Sequence, residues 1–173
     1  MALRNILLEN DPILRKKSRE VTKFDEKLWI LLDDMYETMI HSDGVGLAAP
    51  QVGILRRAIV VDFGDDKYEL VNPEIISQKG KQCELEGCLS IPGENGYVER
   101  PTFVKIKAQN RYGKDITVIG RDRLAVCFCH EIDHLNGVLY VDKLAEPPKG
   151  AHIDEYTRLP QGYTSDKGKK VSV

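Results

Sequence analysis

Long apolar runs are missing from this chain. No stretch of its 173 residues reaches the roughly 18 consecutive apolar positions that suggest a membrane helix, so no span is expected. The first residues, Met1 to Asn5, carry neither an apolar signal core nor a long Arg- and Ser-rich leader. The expectation is a cytoplasmic, bacterial-type protein; a trimmed organellar form would read the same. An excess of one charge is missing too. The net charge of −2 argues against broad affinity for nucleic acid. Of the four cysteines, Cys83, Cys88, Cys127 and Cys129, none forms a CxxC pair, so buried thiols or ligands are expected rather than disulfides. Histidine is scarce: His41, His130, His134 and His152 are the full set.

Two of those four fall in His130-Glu131-Ile132-Asp133-His134. On a helix, residues i and i+4 share one face, so the two imidazoles stand one turn apart, at a spacing that suits one metal ion. Glu131 can then reach water beside that ion as a general base. The bland alternative is a polar helix face with two ordinary histidines. The apolar run Leu124 to Cys129 counts against it, because imidazoles on a buried helix need partners.

Read in order, the chain alternates helix and strand signals. Asp11 and Pro12 look like the cap and first residue of a short helix. Asp25 is a candidate cap for a long helix whose Leu28, Leu31, Leu32, Met35 and Met39 recur at helical spacing, stopping before Gly44. Gly44-Val-Gly-Leu-Ala-Ala-Pro-Gln51 fits neither period. Its glycines allow close approach of a ligand or another backbone, and it reads as a functional loop. Strands are expected at 57–62, on either side of Asn72-Pro73 (68–71 and 74–77), and at 82–85. Ile91-Pro92-Gly93 should turn. Residues 103–109 alternate as a half-buried strand, and Asn110 to Gly113 turns into a returning strand over 115–119. Asp122 is the expected side-chain cap of the motif helix, which should end at Gly137. From Glu146 the sequence is polar and interrupted by Pro and Gly. Residues 1–145 are therefore expected as a catalytic domain and 146–173 as an irregular C-terminal extension. The expected class is α+β: antiparallel sheets packed around a central metal-binding helix, with a long N-terminal helix.

A catalytic tetrahedral site holds three protein ligands and one water. Downstream of His134 the acidic residues Asp142, Glu146, Asp154 and Glu155 lie in short or irregular segments. Cys88 in Glu86-Gly-Cys-Leu-Ser90 is the better third ligand, because the loop backbone can bend a thiolate toward a helix. The blocks Gly44–Gln51, Glu86–Ser90 and His130–His134 followed by Leu135-Asn-Gly137 resemble those of the peptide deformylases in order and spacing. The resemblance runs from about Asn10 to Leu144.

That resemblance implies removal of the formyl group from formylmethionyl nascent chains, with release of formate. Cys88, His130 and His134 would be the metal ligands. Glu131 would be the general acid and base. Gln51 and the backbone N–H of Leu89 would hold the formyl oxygen. Fe2+ would be the native ion, with Zn2+, Ni2+ or Co2+ able to replace it. Gly44, Val45, Gly46, Gly87, Val126 and Cys127 are the expected substrate contacts, and Asp133 and Arg100 an expected ion pair behind the helix. Cys129 stands where members commonly carry Gln. Many members dock on the ribosome through a long charged C-terminal helix. Residues 146–173 lack its pattern, which leaves the route of ribosome association open and makes homodimer contacts an alternative role for the tail. Two rival readings share the motif: an HExxH zinc endopeptidase, and a closed structural site of Cys88, Cys127, His130 and His134.

Overall fold

Asp11 and Asp25 set the first two elements. A computed structural model of the chain describes residues 1–164. The Asp11 carboxylate accepts from the Ile13 amide at 3.0 Å and opens a single 3-10 turn, Pro12–Arg15. The Asp25 carboxylate accepts from the Leu28 amide at 3.3 Å and opens α1, Glu26–His41. One face of α1 buries Leu28, Leu31, Leu32, Met35 and Met39.

Two sheets follow. The larger contains β1 (Gly46–Ala48), β2 (Ala58–Phe63), β3 (Asp66–Lys79), β6 (Phe103–Gln109) and β7 (Asp115–Arg121), antiparallel and in that spatial order. The smaller contains β4 (Gln82–Cys88), β5 (Ile91–Arg100) and β8 (Thr157–Arg158). β4 and β5 pair antiparallel, while β8 lies parallel to β5.

The larger sheet is buried on both faces where β2 crosses it. Because side chains alternate along a strand, Ala58 and Val60 join the α1 cluster. Ile59 and Val61 join a second cluster under α2, Arg123–Leu135. That is why 58–61 reads as an unbroken apolar run. α2 contributes Ala125, Phe128, Cys129, Ile132 and Leu135 to the second cluster. His130 and Asp133 of α2 instead meet Glu86 and Arg100 of the smaller sheet. The last turn of α2 is closed by distant groups: the Leu135 carbonyl accepts from Ser18 N at 2.8 Å and from Arg57 Nη1 at 3.0 Å.

Three expectations are corrected. The 68–71 and 74–77 pieces are one strand, β3, whose register breaks between Val71 and Glu74 around Pro73, a bulge where a missing N–H is tolerated. Asn72 there has φ 51°. Its side chain accepts from Val21 N at 2.8 Å and donates to Val21 O at 2.9 Å and Gln109 Oε1 at 2.8 Å, which offsets the backbone strain. Ile91-Pro92-Gly93 opens strand β5 rather than only turning. Asp122 precedes α2 but makes no side-chain cap. Its φ is 51°, and its backbone is engaged instead, with N donating to Thr102 O and O accepting from Gln82 Nε2.

Phe128 is fully buried and packs edge-on against Tyr68, with ring centroids 5.1 Å apart. Phe128→Ala is expected to cost about 3–5 kcal/mol through lost transfer energy and a cavity. Urea unfolding measures this, and a loss well under 1 kcal/mol would show that the α2 cluster does not carry the core.

Candidate metal centre and its cleft

Helical spacing brings the two motif imidazoles together. The Nε2 atoms of His130 and His134 face each other at 3.3 Å, and Cys88 Sγ at the end of β4 lies 3.4 Å from His134 Nε2. The ligand atoms of all three residues fall within 4.8 Å of one another. Both histidines are buried, at 8% and 1% exposed. Two facing ring nitrogens can share at most one proton, so a buried arrangement of this kind needs something between them.

The groups around the triad prepare it for a cation. His130 Nδ1 is 2.8 Å from Glu86 Oε1. A proton donated there leaves the Nε2 lone pair free, the usual way a carboxylate orients a ligating imidazole. Burial and the charge on neighbouring His130 hold His134 well below its ordinary pKa, so it is neutral with a lone pair to give. Burial opposes the charge on His130, but hydrogen bonds to Cys88 and Glu86 outweigh it and hold its pKa well above the ordinary value, so a cation would displace its Nε2 proton. Burial opposes the Glu86 charge, but hydrogen bonds from His130 and Arg100 outweigh it and hold its pKa below the usual range. Arg100 donates to Glu86 through Nε at 2.8 Å and Nη2 at 3.0 Å, and reaches Asp133 Oδ2 through Nη1 at 2.6 Å.

Glu131 sits beside the triad with Oε2 buried and without a hydrogen-bond partner among the described residues. Burial pushes its carboxyl up to about 7, which suits a group that both takes and gives a proton near neutrality. Gly46 makes room for it: a Cβ at Gly46 would stand 2.5 Å from Glu131 Oε1. Gln51 is 1% exposed. Its Oε1 is used by the Ala48 amide at 2.9 Å, which turns Nε2 toward Cys88 Sγ at 3.5 Å and Ser90 Oγ at 3.1 Å. The two buried imidazoles, the half-buried Cys88 thiol beside them and the unpartnered Glu131 carboxylate fit a divalent cation held by one thiolate and two imidazoles.

A cleft of about 780 Å³ opens onto this group, and the six predicted contacts Gly44, Val45, Gly46, Gly87, Val126 and Cys127 all border it. Gln51, Cys88, Leu89, His130 and Glu131 border it as well, whereas His134 lies behind them. Cys127 lies outside the ligand group. Its thiol faces the Val45 carbonyl at 4.0 Å, and burial pushes its pKa well above the ordinary value, so the closed four-ligand site is not favoured. Burial likewise pushes Cys129 up to about 11, which keeps it a thiol at neutral pH. Sequence reasoning missed Glu86, Ser90 and Tyr140, whose ring stacks on His130 at 6.1 Å. Glu86 and Ser90 were within reach, because both belong to the Cys88 block.

The family model for polypeptide deformylase matches residues 3–149. The chain belongs to that family. It is 58% identical over 144 residues to the peptide deformylase of Alkaliphilus metalliredigens (strain QYMF), an alignment that spans 83% of this chain and 98% of that protein. It is 56% identical over 144 residues to that of Acetivibrio thermocellus, covering 83% and 85%. Among solved structures, the peptide deformylase of Thermotoga maritima superposes with a TM-score of 0.82 at 43% identity, covering 84% of this chain and 99% of that one. That of Legionella pneumophila gives 0.81 at 46%, covering 83% and 87%. The family is enzymatic: its members are metal-dependent hydrolases that remove the N-terminal formyl group from nascent polypeptides. An endopeptidase reading is not favoured.

Glu86 meets His130 at Nδ1 and lies outside the group formed by Cys88, His130 and His134. Glu86→Gln is expected to weaken metal binding by about 10–100-fold. Competition against a chromophoric chelator, on protein whose circular dichroism matches the parent, reads the change; unaltered affinity would remove Glu86 from this role.

Proposed function

We propose that residues 1–145 carry out deformylation of formylmethionyl nascent chains with the residues of this one cleft. The supporting observation is the convergence of Cys88 Sγ and two imidazole Nε2 atoms with the unpartnered Glu131 Oε2 and the directed Gln51 Nε2. Cys88, His130 and His134 hold one divalent ion, Fe2+ in the native state, with Zn2+, Ni2+ or Co2+ as substitutes. When bound, the ion supplies the positive charge that lowers the pKa of a water and polarises the formyl oxygen.

The protein's own groups do the rest. Gly44, Val45 and Gly46 offer backbone groups to an extended peptide, in the manner of an added strand. Val45, Val126 and Cys127 receive the methionine side chain, and Gly87 borders its path. Glu131 takes a proton from the attacking water at Oε2. Charge then builds on the formyl oxygen, where Gln51 Nε2 and the Leu89 N–H donate hydrogen bonds. Removing one such donor typically costs ~10²–10³ in rate. Glu131 returns the proton to the departing amine nitrogen, so formate leaves and a free N-terminus remains. Gly46, without a side chain, leaves the carboxyl free for both transfers.

The bacterial relatives support a cytoplasmic location, where formylated chains arise. No helix among the described residues is long and apolar enough to cross a membrane. We assign 146–173 to an extension of the catalytic unit. Its described part lies on its own chain's β5, which favours that role over contacts with a second copy. Residues 165–173 fall outside the described residues. Residues 146–164 form no helix, so any ribosome contact they make would use another kind of surface.

Formate release from formyl-Met-Ala-Ser by anaerobically prepared, iron-loaded protein tests the reading. The parent should turn over, and Glu131→Ala should lose about 10²–10⁴-fold. A metal-replete parent that releases no formate would falsify it. A second outcome follows from the thiolate ligand: the iron form should lose activity in air through metal loss or oxidation of Cys88, and the nickel form should outlast it. Equal half-lives for the two forms in air would contradict Fe2+ as the labile native ion.

A further inference from the structure

The wall of the cleft nearest Cys88 is poorly anchored by its own sheet. β4 and β5 pair at Glu86 with Gly96 and again at Cys88 with Ile91, with the register broken between. The arc Pro92 to Asn95 therefore has no Cα partner in β4, and Gly93 within it has φ 78°. Yet Pro92, Gly93 and Glu94 border the cleft. Ile91, Pro92 and Glu94 also border an adjoining hollow of about 290 Å³ that reaches Glu9 and Ser90. A peptide whose formyl end lies at the metal ligands would leave the cleft along this arc.

The C-terminal extension holds the arc from its other side. β8 pairs parallel with Asn95 and Gly96, and Asn95 N donates to Tyr156 O at 3.1 Å. Tyr97 Oη donates to His152 O at 3.0 Å, and Leu159 is buried. The approach is close at Gly96: a Cβ there would be 3.2 Å from Arg158 O, so the strap backbone would have to give by a few tenths of an ångström. Arg158 then locks the end of the arc. It binds Glu9 with both terminal nitrogens, each at 2.7 Å, and its Nη2 also bonds Glu94. One guanidinium thus ties the N-terminal segment, the cleft wall and the extension together, in the two-pronged geometry that gives Arg–carboxylate pairs their orientation.

We propose that residues 152–159 are a strap that fixes the Pro92–Asn95 arc. Arg158 is the positioning residue through which the strap sets how tightly the cleft holds the substrate residues that follow the formyl-methionine. The inference rests on the function proposed above. It applies to peptides long enough to reach the arc, and not to the reacting end.

Arg158→Ala, Arg158→Lys and the parent are compared as full-length, metal-loaded protein on formyl-Met-Ala and formyl-Met-Ala-Ser-Ala. Arg158→Ala should raise KM for the tetrapeptide about 5-fold, the scale of a partly exposed ion-pair network, and leave kcat on both peptides and KM for the dipeptide alone. Arg158→Lys, which keeps the charge but not the two-pronged fork, should recover only a minor part of the lost affinity. A tetrapeptide KM equal to the parent's overturns the proposal. So does a fall in kcat on both peptides with KM unmoved, which is what a purely structural role would give. If the metal-replete parent turns over neither peptide, the deformylase reading itself fails and this inference goes with it. A parent active on both puts only the strap at stake.

Discussion

Glu86 and Arg100 are 5% and 4% exposed, two charges in a region where water cannot solvate them. Such a pair contributes to a fold only when its remaining donors and acceptors are also satisfied. Here they are: the guanidinium covers both Glu86 oxygens and reaches Asp133, while Glu86 also takes His130 Nδ1. The network joins β4, β5 and α2. It also lies two residues from Cys88 in one direction and directly behind His130 in the other. Both arms of the ligand set hang from one buried carboxylate, so any sliding of the small sheet against α2 would separate thiol and imidazole before it disturbed the apolar core.

The apolar core works by a division of faces. β2 sends alternate side chains to α1 and to α2, and α2 sends one stripe to the large sheet and another to the small one. A helix placed this way is buried nearly all round, so its polar residues need partners. His130 has Glu86, and Asp133 has Arg100 and Lys143. Glu131 Oε2 and His134 Nδ1 are left without a hydrogen-bond partner among the described residues, and Glu131 Oε2 is the oxygen to which the proton transfers are assigned.

How much of this was legible in the sequence depended on whether a residue's role is local. The motif helix and α1 follow from 3.6-residue spacing, and β6 from alternation. Asp25 caps α1 as its position implies, because a cap is a local bond. Asp122 does not cap α2, because distant Thr102 and Gln82 compete for its backbone. β5 was hidden: Pro92, Gly93, Glu94, Asn95 and Gly96 carry almost no strand signal, and the segment is held by β4 only at its flanks, Ile91 and Gly96, and by β8 at Asn95 and Gly96, rather than by propensity. Two of the candidate ligands, His130 and His134, were suggested by i, i+4 helical spacing, and Cys88 by the Glu86–Ser90 block rather than by any periodicity. Glu86 escaped notice because its partner Arg100 lies 14 residues on and His130 lies 44. No pattern along one strand can report such pairings.

The Leu135 carbonyl gives the last turn of α2 a dependence on the far end of the chain. A helix leaves its final carbonyls without internal partners, and this one is filled by the amide of Ser18 and the side chain of Arg57. His134 is the residue just before it. Local opening of the N-terminal segment would remove one of the two donors that hold the turn carrying His134 and leave the Arg57 bond alone to hold it. Loosening near Ser18 would therefore reach His134 through the backbone, without touching any side chain around it.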